Sequence, residues 1–258
     1  MKNEVLRVKE LEIGSGTPKV LASITSQTLD GAARQAAAIK GSHAVDIAEL
    51  RIDHLDPSLS DAQVVDVLNH CAAILAGKPL LATFRSKSEG GERDIPDTNY
   101  FALYRAIIVG AAVDLVDIEM MKPQWQISEV IALAHLKGIA VILSNHEWHV
   151  TPPRSVIVER LLRQQTLGAD ILKIATMPQS AEDVLTLMAA SLEMKDRYAR
   201  KPMLTMAMGP LGVATRLTGE LTGSALTFAS LGSASAPGQL DATAVKTVLN
   251  IIDQGARG

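Results

Sequence analysis

Short runs of aliphatic and β-branched residues recur along this chain about every thirty residues, with longer amphipathic stretches between them. The runs are Val20–Ile24, Ala44–Ile52, Leu80–Arg85, Leu115–Glu119, Ala140–Asn145, Ile171–Thr176, Met203–Met208 and Ala225–Ala229. Each has the length and composition of a buried strand. The intervening "DAQVVDVLNHCAAILAG" and "SAEDVLTLMAASLEMKDRYA" carry apolar residues at helical spacing. Ser60 precedes the first of these, and Ser180 with Asp183 three residues later opens the second, close to a capping box. Eight strand–helix units with no Pro/Gly/Ser-rich linker between halves predict a single (β/α)8 TIM barrel over residues 1–258. A doubly wound sheet would carry a Gly-rich nucleotide turn after its first strand, and "SITSQTLDG" is not one. The opening "VLRVKELEIGSGTPK" predicts a short hairpin closing the barrel floor.

Composition narrows the class of function. With 47% hydrophobic and 21% charged residues the chain reads as globular, and a net charge of −3 without a basic block argues against a nucleic-acid partner. No apolar run reaches the roughly 18 residues of a membrane span. The lone Cys71 cannot form an internal disulfide, and "MKNEVLRVKELEIG" lacks a signal-peptide core, so a cytoplasmic protein is expected.

Alternation along a strand shows which side chains share a face. In "IAELRID" the inward set is Glu49, Arg51 and Asp53. Thr83 and Arg85 follow on the next strand, with Glu89 in the glycine-bearing loop behind it. Asp117 and Glu119, Ser144 and His146, Lys173 and Ala175, and Met206 and Met208 share faces in the same way. Arg216 lies beyond the seventh strand, and Ser235 and Gln239 lie in "GSASAPGQ" beyond the eighth. One inward charge is usually a satisfied ion pair, and Asp53, Asp117 and Glu119 are assigned to that structural role. Polar groups near the C-terminal ends of most strands instead point to an active site, because that rim is where barrel enzymes work.

Lys173, between Leu172 and Ile174, has no acid among its immediate neighbours in sequence. An isolated ammonium in such a strand is expected to escape burial by giving up its proton. A neutral, confined amine attacks ketones and forms Schiff bases. His146 suits acid–base duty near neutral pH, with Glu89 as the carboxylate that orients it. A metal site is the other reading of "HEWH", but its histidines are three apart at a strand end, and the helical zinc motif needs four.

Together "DIAELRIDHL", "TFRSKSEGGE", "LSNHEWHVTP", "GADILKIATMPQS", "MAMGPLGVATR" and "GSASAPGQL" resemble the type I 3-dehydroquinate dehydratases, in order and over nearly the whole chain. The resemblance implies a Schiff-base lysine at Lys173, a catalytic histidine at His146 and its paired carboxylate at Glu89. It implies substrate-binding roles for Ser23, Glu49, Arg51, Arg85, Arg216, Ser235 and Gln239, and an apolar wall of Met206, Met208 and Phe228. It further implies dehydration of 3-dehydroquinate to 3-dehydroshikimate, no metal or organic cofactor, and a homodimer. Two alternatives carry different expectations. A class I aldolase would use loops after the last strands to cradle phosphate, whereas "SASAPGQ" suits carboxylate and hydroxyl groups. A non-catalytic metabolite-binding barrel would have lost one of Lys173, His146 and Glu89, and all three are present.

Overall fold

The computed structural model describes residues 4–232 and 236–257. Two short strands, β1 (Leu6–Val8) and β2 (Leu11–Ile13), form an antiparallel hairpin. Eight parallel strands follow: β3 (Lys19–Ile24), β4 (Ile47–Arg51), β5 (Leu80–Thr83), β6 (Leu115–Glu119), β7 (Ala140–Glu147), β8 (Ile171–Thr176), β9 (Met203–Ala207) and β10 (Leu226–Phe228). They pair in sequence order, and β10 returns to pair with β3. At the β9/β10 seam the Ala225 amide donates to the Met203 carbonyl at 2.7 Å, and Thr205 N–H donates to Ser224 Oγ at 3.0 Å. This is the (β/α)8 barrel that the repeat predicted.

The helices α1 (Leu29–Gly41), α2 (Asp61–Leu75), α3 (Asp97–Gly110), α4 (Gln124–Leu136), α5 (Arg154–Thr166), α6 (Ala181–Glu193), α7 (Val213–Leu217), α8 (Gly219–Thr222) and α9 (Ala242–Arg257) fill the connections. The expected caps are present. Ser60 forms a full capping box with Gln63, and Ser180 Oγ accepts from the Asp183 amide. Such caps satisfy amides that the first helical turn leaves without partners.

Strands β4, β5, β9 and β10 are shorter than the sequence suggested, and at β4 and β5 side chains occupy the backbone groups a longer ladder would use. Strand β4 starts at Ile47. Before it, Lys78 Nζ takes the Ser42 and Val45 carbonyls, and Asp46 Oδ2 accepts from the Val20 amide. Strand β5 stops at Thr83, since the next two amides go to Tyr104 Oη and Asp53 Oδ1. The hairpin lies where it was expected. Val8 and Ile13 pack with Leu21, Ile47, Leu81 and Leu115 inside the barrel floor, and Lys9 reaches Asp114 and the Lys78 carbonyl just ahead of β6 and β5.

Candidate active site

Inward side chains stack in layers. Leu21, Ile47, Leu81, Leu115, Ile142, Ile171, Leu204 and Leu226 form a fully buried apolar floor. Two residues further along the same strands stand Ser23, Glu49, Thr83, Asp117, Ser144, Lys173, Met206 and Phe228, as the two-residue period of a strand requires. The register steps by two at alternate pairings, so Glu49 is opposite Leu81, Asp117 opposite Ile142, Lys173 opposite Leu204 and Phe228 opposite Leu21. That stagger is the one a closed eight-stranded barrel needs, and it brings polar groups from non-adjacent strands to one level.

At that level the expectation of an isolated lysine is overturned. Lys173 Nζ is 2.6 Å from Asp117 Oδ2, so its charge is paired across two strands rather than shed into an apolar strand. Asp117 Oδ1 accepts from Arg85 Nη2 and from Ser144 Oγ, each at 2.6 Å. Burial raises the Asp117 carboxyl, but Arg85 and Lys173 outweigh it and hold the group well below the usual carboxylate range. Arg85 also reaches Ser144 Oγ at 3.0 Å and Glu119 Oε1 at 3.1 Å. On its far side Nζ is 5.0 Å from the centroid of the Phe228 ring.

Above this network His146 Nδ1 lies 2.9 Å from Glu89 Oε2. Glu89 sits in a helical turn over Lys87–Glu89 whose base is fixed by Glu119, which accepts from the Ser86 amide at 2.8 Å and from Ser86 Oγ at 2.7 Å. Burial pushes the Glu89 carboxyl up to about 8 although Arg85 opposes it, and Glu119 and Asp117 add to the rise. Burial also holds His146 well below the ordinary imidazole value, helped by Arg85 and Lys173. At neutral pH the imidazole is therefore uncharged and able to take a proton. Two glycines shape the loop. A Cβ on Gly91 would lie 1.9 Å from the Arg85 carbonyl oxygen, and one on Gly90, whose φ is +86°, would lie 1.8 Å from the Trp148 ring.

The remaining polar groups complete the wall. Arg51 forks onto Asp53 with contacts of 2.8 and 2.6 Å, and Asp53 also accepts from the Arg85 and Glu92 amides. Asp53 thus has the structural role assigned to it. Glu49 accepts from Ser23 Oγ at 2.5 Å and from Thr83 Oγ1 at 2.9 Å. Arg216 differs from the other cations. It is 1% exposed, bonds the Pro237 carbonyl at 3.1 Å, leaves Nε without a partner, and has no carboxylate against it among the described residues. Burial pulls its pKa down to about 10. A buried guanidinium without a counter-ion is a site for an anionic ligand group.

These side chains open on one cleft of about 510 Å³. It is lined by Glu49, Arg51, Arg85, Glu89, His146, Lys173, Met206, Met208, Arg216, Phe228 and Gln239. Ser23 lies behind Glu49, and Ser235 lies outside the described residues. Trp148, Gly90 and Ala236 also line the cleft and were not anticipated; Trp148 follows the end of β7, where strand alternation stops predicting direction. His149 is exposed, and among the described residues no three His, Cys, Asp or Glu side chains are grouped to hold a metal ion. No helix among the described residues is long and apolar enough to cross a membrane.

Residues 20–256 match the family described as type I 3-dehydroquinase. A 3-dehydroquinate dehydratase from Salmonella agona is 41% identical over 251 residues, covering 97% of this chain and 99% of that protein. The type I 3-dehydroquinate dehydratase from Clostridium difficile, solved with covalently modified comenic acid, aligns with a TM-score of 0.95 at 40% identity, covering 98% of this chain and 99% of that one. A 3-dehydroquinate dehydratase from Enterococcus faecalis aligns with a TM-score of 0.90 at 38% identity, covering 95% and 98%.

Proposed function

We propose, from the premise that this chain belongs to the type I 3-dehydroquinase family, that Lys173 carries the reaction as a Schiff base and His146 moves its protons. As a member of that family the chain is a lyase of the shikimate pathway that dehydrates 3-dehydroquinate. The observation that carries the mechanistic reading is that Lys173 Nζ faces the same cleft as His146, whose imidazole burial keeps neutral.

In this reading neutral His146 takes a proton from the Lys173 ammonium, the freed amine adds to the C3 ketone, and the imidazolium gives that proton to the departing hydroxyl, so that loss of water leaves an iminium beside a neutral imidazole. The positive nitrogen withdraws electrons and acidifies the C2 proton. Neutral His146 takes that proton, and the C–H electron pair moves into a C2–C3 enamine double bond. The imidazolium, braced by Glu89 at Nδ1, then returns the proton to the C1 hydroxyl as it departs as water. Water hydrolyses the resulting conjugated iminium, which releases 3-dehydroshikimate and restores Lys173. Arg216 holds the substrate carboxylate, for which it has donors and, among the described residues, no competing carboxylate. Glu49, Arg51, Ser235 and Gln239 read the ring hydroxyls, with Met206, Met208 and Phe228 as the apolar wall. The relative from Clostridium difficile, solved with a covalently modified ligand, supports a covalent route.

Borohydride added during turnover tests this reading. The expected result is the mass of reduced product fixed on the peptide holding Lys173, with none in Lys173→Ala. An active enzyme that labels elsewhere, or nowhere, refutes it.

A further inference from the structure

We propose that Asp117 is the fixed counter-ion of the covalent nitrogen, engaging one N–H of Lys173 Nζ from the free amine through the iminium and keeping that iminium protonated. The proposal rests on the reading above that Lys173 is the Schiff-base residue.

The geometry supplies the argument. Asp117 and Lys173 are 0% and 3% exposed, and their contact of 2.6 Å involves Oδ2 alone. The other carboxylate oxygen is held by Arg85 Nη2 and Ser144 Oγ, so the carboxylate cannot rotate away when Nζ changes its bonding. The Asp117 backbone carbonyl is also fixed, by the Tyr104 hydroxyl. A free ammonium has three N–H bonds, whereas the iminium and the enamine each keep one. A single committed oxygen matches what remains. Asp117 does not serve as the base, because Arg85 and Lys173 hold its carboxyl well below the usual carboxylate range and make it a poor proton acceptor, and the proton leaving the amine goes instead to the neutral imidazole.

The consequence is electronic. A buried iminium without an anion loses its proton readily, and the neutral imine left behind is a poor electron sink. Other charged groups face this pair: Arg51 and Glu49 on β4, Arg85 and Glu89 after β5, Glu119 on β6 and His146 on β7. Arg85 is already committed to three carboxylates, and β10 offers only the uncharged Phe228 ring. The other carboxylates are engaged elsewhere, Glu49 by Ser23 and Thr83, Glu89 by His146, and Glu119 by Arg85 and Ser86.

The test compares kcat against pH for the wild type, Asp117→Asn and Asp117→Glu. In Asp117→Asn the alkaline limb should move down by about one pH unit or more, a tenfold loss of turnover at a fixed pH on that limb. Borohydride labelling of Lys173 near neutral pH should persist, and Asp117→Glu should restore part of the limb. A lowered rate with an unmoved limb would mean that Asp117 only packs the site, and it overturns the proposal. If Asp117→Asn does not fold, the ¹⁵N resonance of Lys173 in the wild-type adduct decides, since a protonated iminium is expected up to the alkaline limb and a neutral imine at neutral pH overturns the assignment. Absence of any wild-type adduct refutes the Schiff-base reading itself, whereas a labelled wild type with an unmoved limb refutes only the part given to Asp117.

Discussion

The floor of the barrel and the level above it are built from the same eight strands, two residues or about 7 Å apart, and they do opposite work. The floor is aliphatic throughout and closed by Val8 and Ile13 of the hairpin. Its stability comes from removing apolar surface from water. The upper level replaces those side chains with Glu49, Asp117 and Lys173, each of which is desolvated and must be compensated. Compensation is achieved by chains of partners, Lys173 to Asp117 to Arg85 and Ser23 to Glu49 to Thr83. Arg216 is left without a carboxylate among the described residues, as a site reserved for a ligand would be. One backbone pattern can therefore hold stability and chemistry in adjacent layers.

The comparison breaks if the two layers cannot be perturbed separately. Leu115 and Lys173 provide the sharpest pair. Leu115→Ala should cost about 2–5 kcal/mol of stability, because the floor cannot collapse around the cavity. The folded fraction should keep its turnover within a few-fold. Lys173→Met should abolish turnover and destabilise the chain less than Leu115→Ala does, since Asp117 retains Arg85 and Ser144. Urea denaturation and a dehydration assay on each variant measure both quantities. A Leu115→Ala enzyme that is folded yet inactive would show that the layers are coupled.

The same alternation explains what could be read from sequence. Inward Glu49, Arg51, Arg85, His146 and Lys173 follow from a period of two, and all five line the cleft. The partner of Lys173 did not follow. Asp117 is 56 residues away and was recognisably inward, but which cation it meets depends on the register between β6, β7 and β8. Sequence alternation carries no information about the offset between strands. Trp148 was illegible for another reason: it lies past the end of β7, where direction is set by packing on Gly90 rather than by a pleat. Arg216 is legible as a site residue, but its lack of a counter-ion among the described residues is a property of its whole surroundings.

Gly90 gives a perturbation of intermediate size, confined to the rim. Gly90→Ala places a methyl group on the Trp148 ring and adds about 1–2 kcal/mol of strain at a left-handed position. The loop that carries Glu89 must shift, and small displacements of a catalytic group are costly, so kcat should fall roughly 10–100-fold. Trp148→Ala removes the atoms that clash, so the double variant should recover part of the loss. Losses that simply multiply would show that Trp148 and Gly90 do not act through one contact.

The smallest expected effect separates the dyad from the floor by its pH dependence. Glu89, raised to about 8, contributes stability that is present below its ordinary value near 4.5 and is lost as pH rises through 8. His146, lowered from its ordinary 6.5, contributes stability that is present above 6.5 and is lost as pH falls. Between the ordinary values of the two groups, for as long as the folded imidazole stays neutral, the two trends cancel, because the pair holds one proton in either state: on the imidazole when unfolded, on the carboxyl when folded. From 6.5 to 8 the unfolded chain gives that proton up while the folded dyad keeps it, so stability falls, with a limiting slope of about 1.4 kcal/mol per pH unit. Glu89→Gln removes the titrating carboxyl. The stability of the wild type relative to that variant should therefore decline across this window, and relative to Leu115→Ala it should stay level, because both of those proteins retain the dyad. Denaturation midpoints at pH 6.5 and pH 8 measure both differences. Parallel curves for the wild type and Glu89→Gln would mean that the folded dyad holds no extra proton, and the neutral imidazole would then need another explanation.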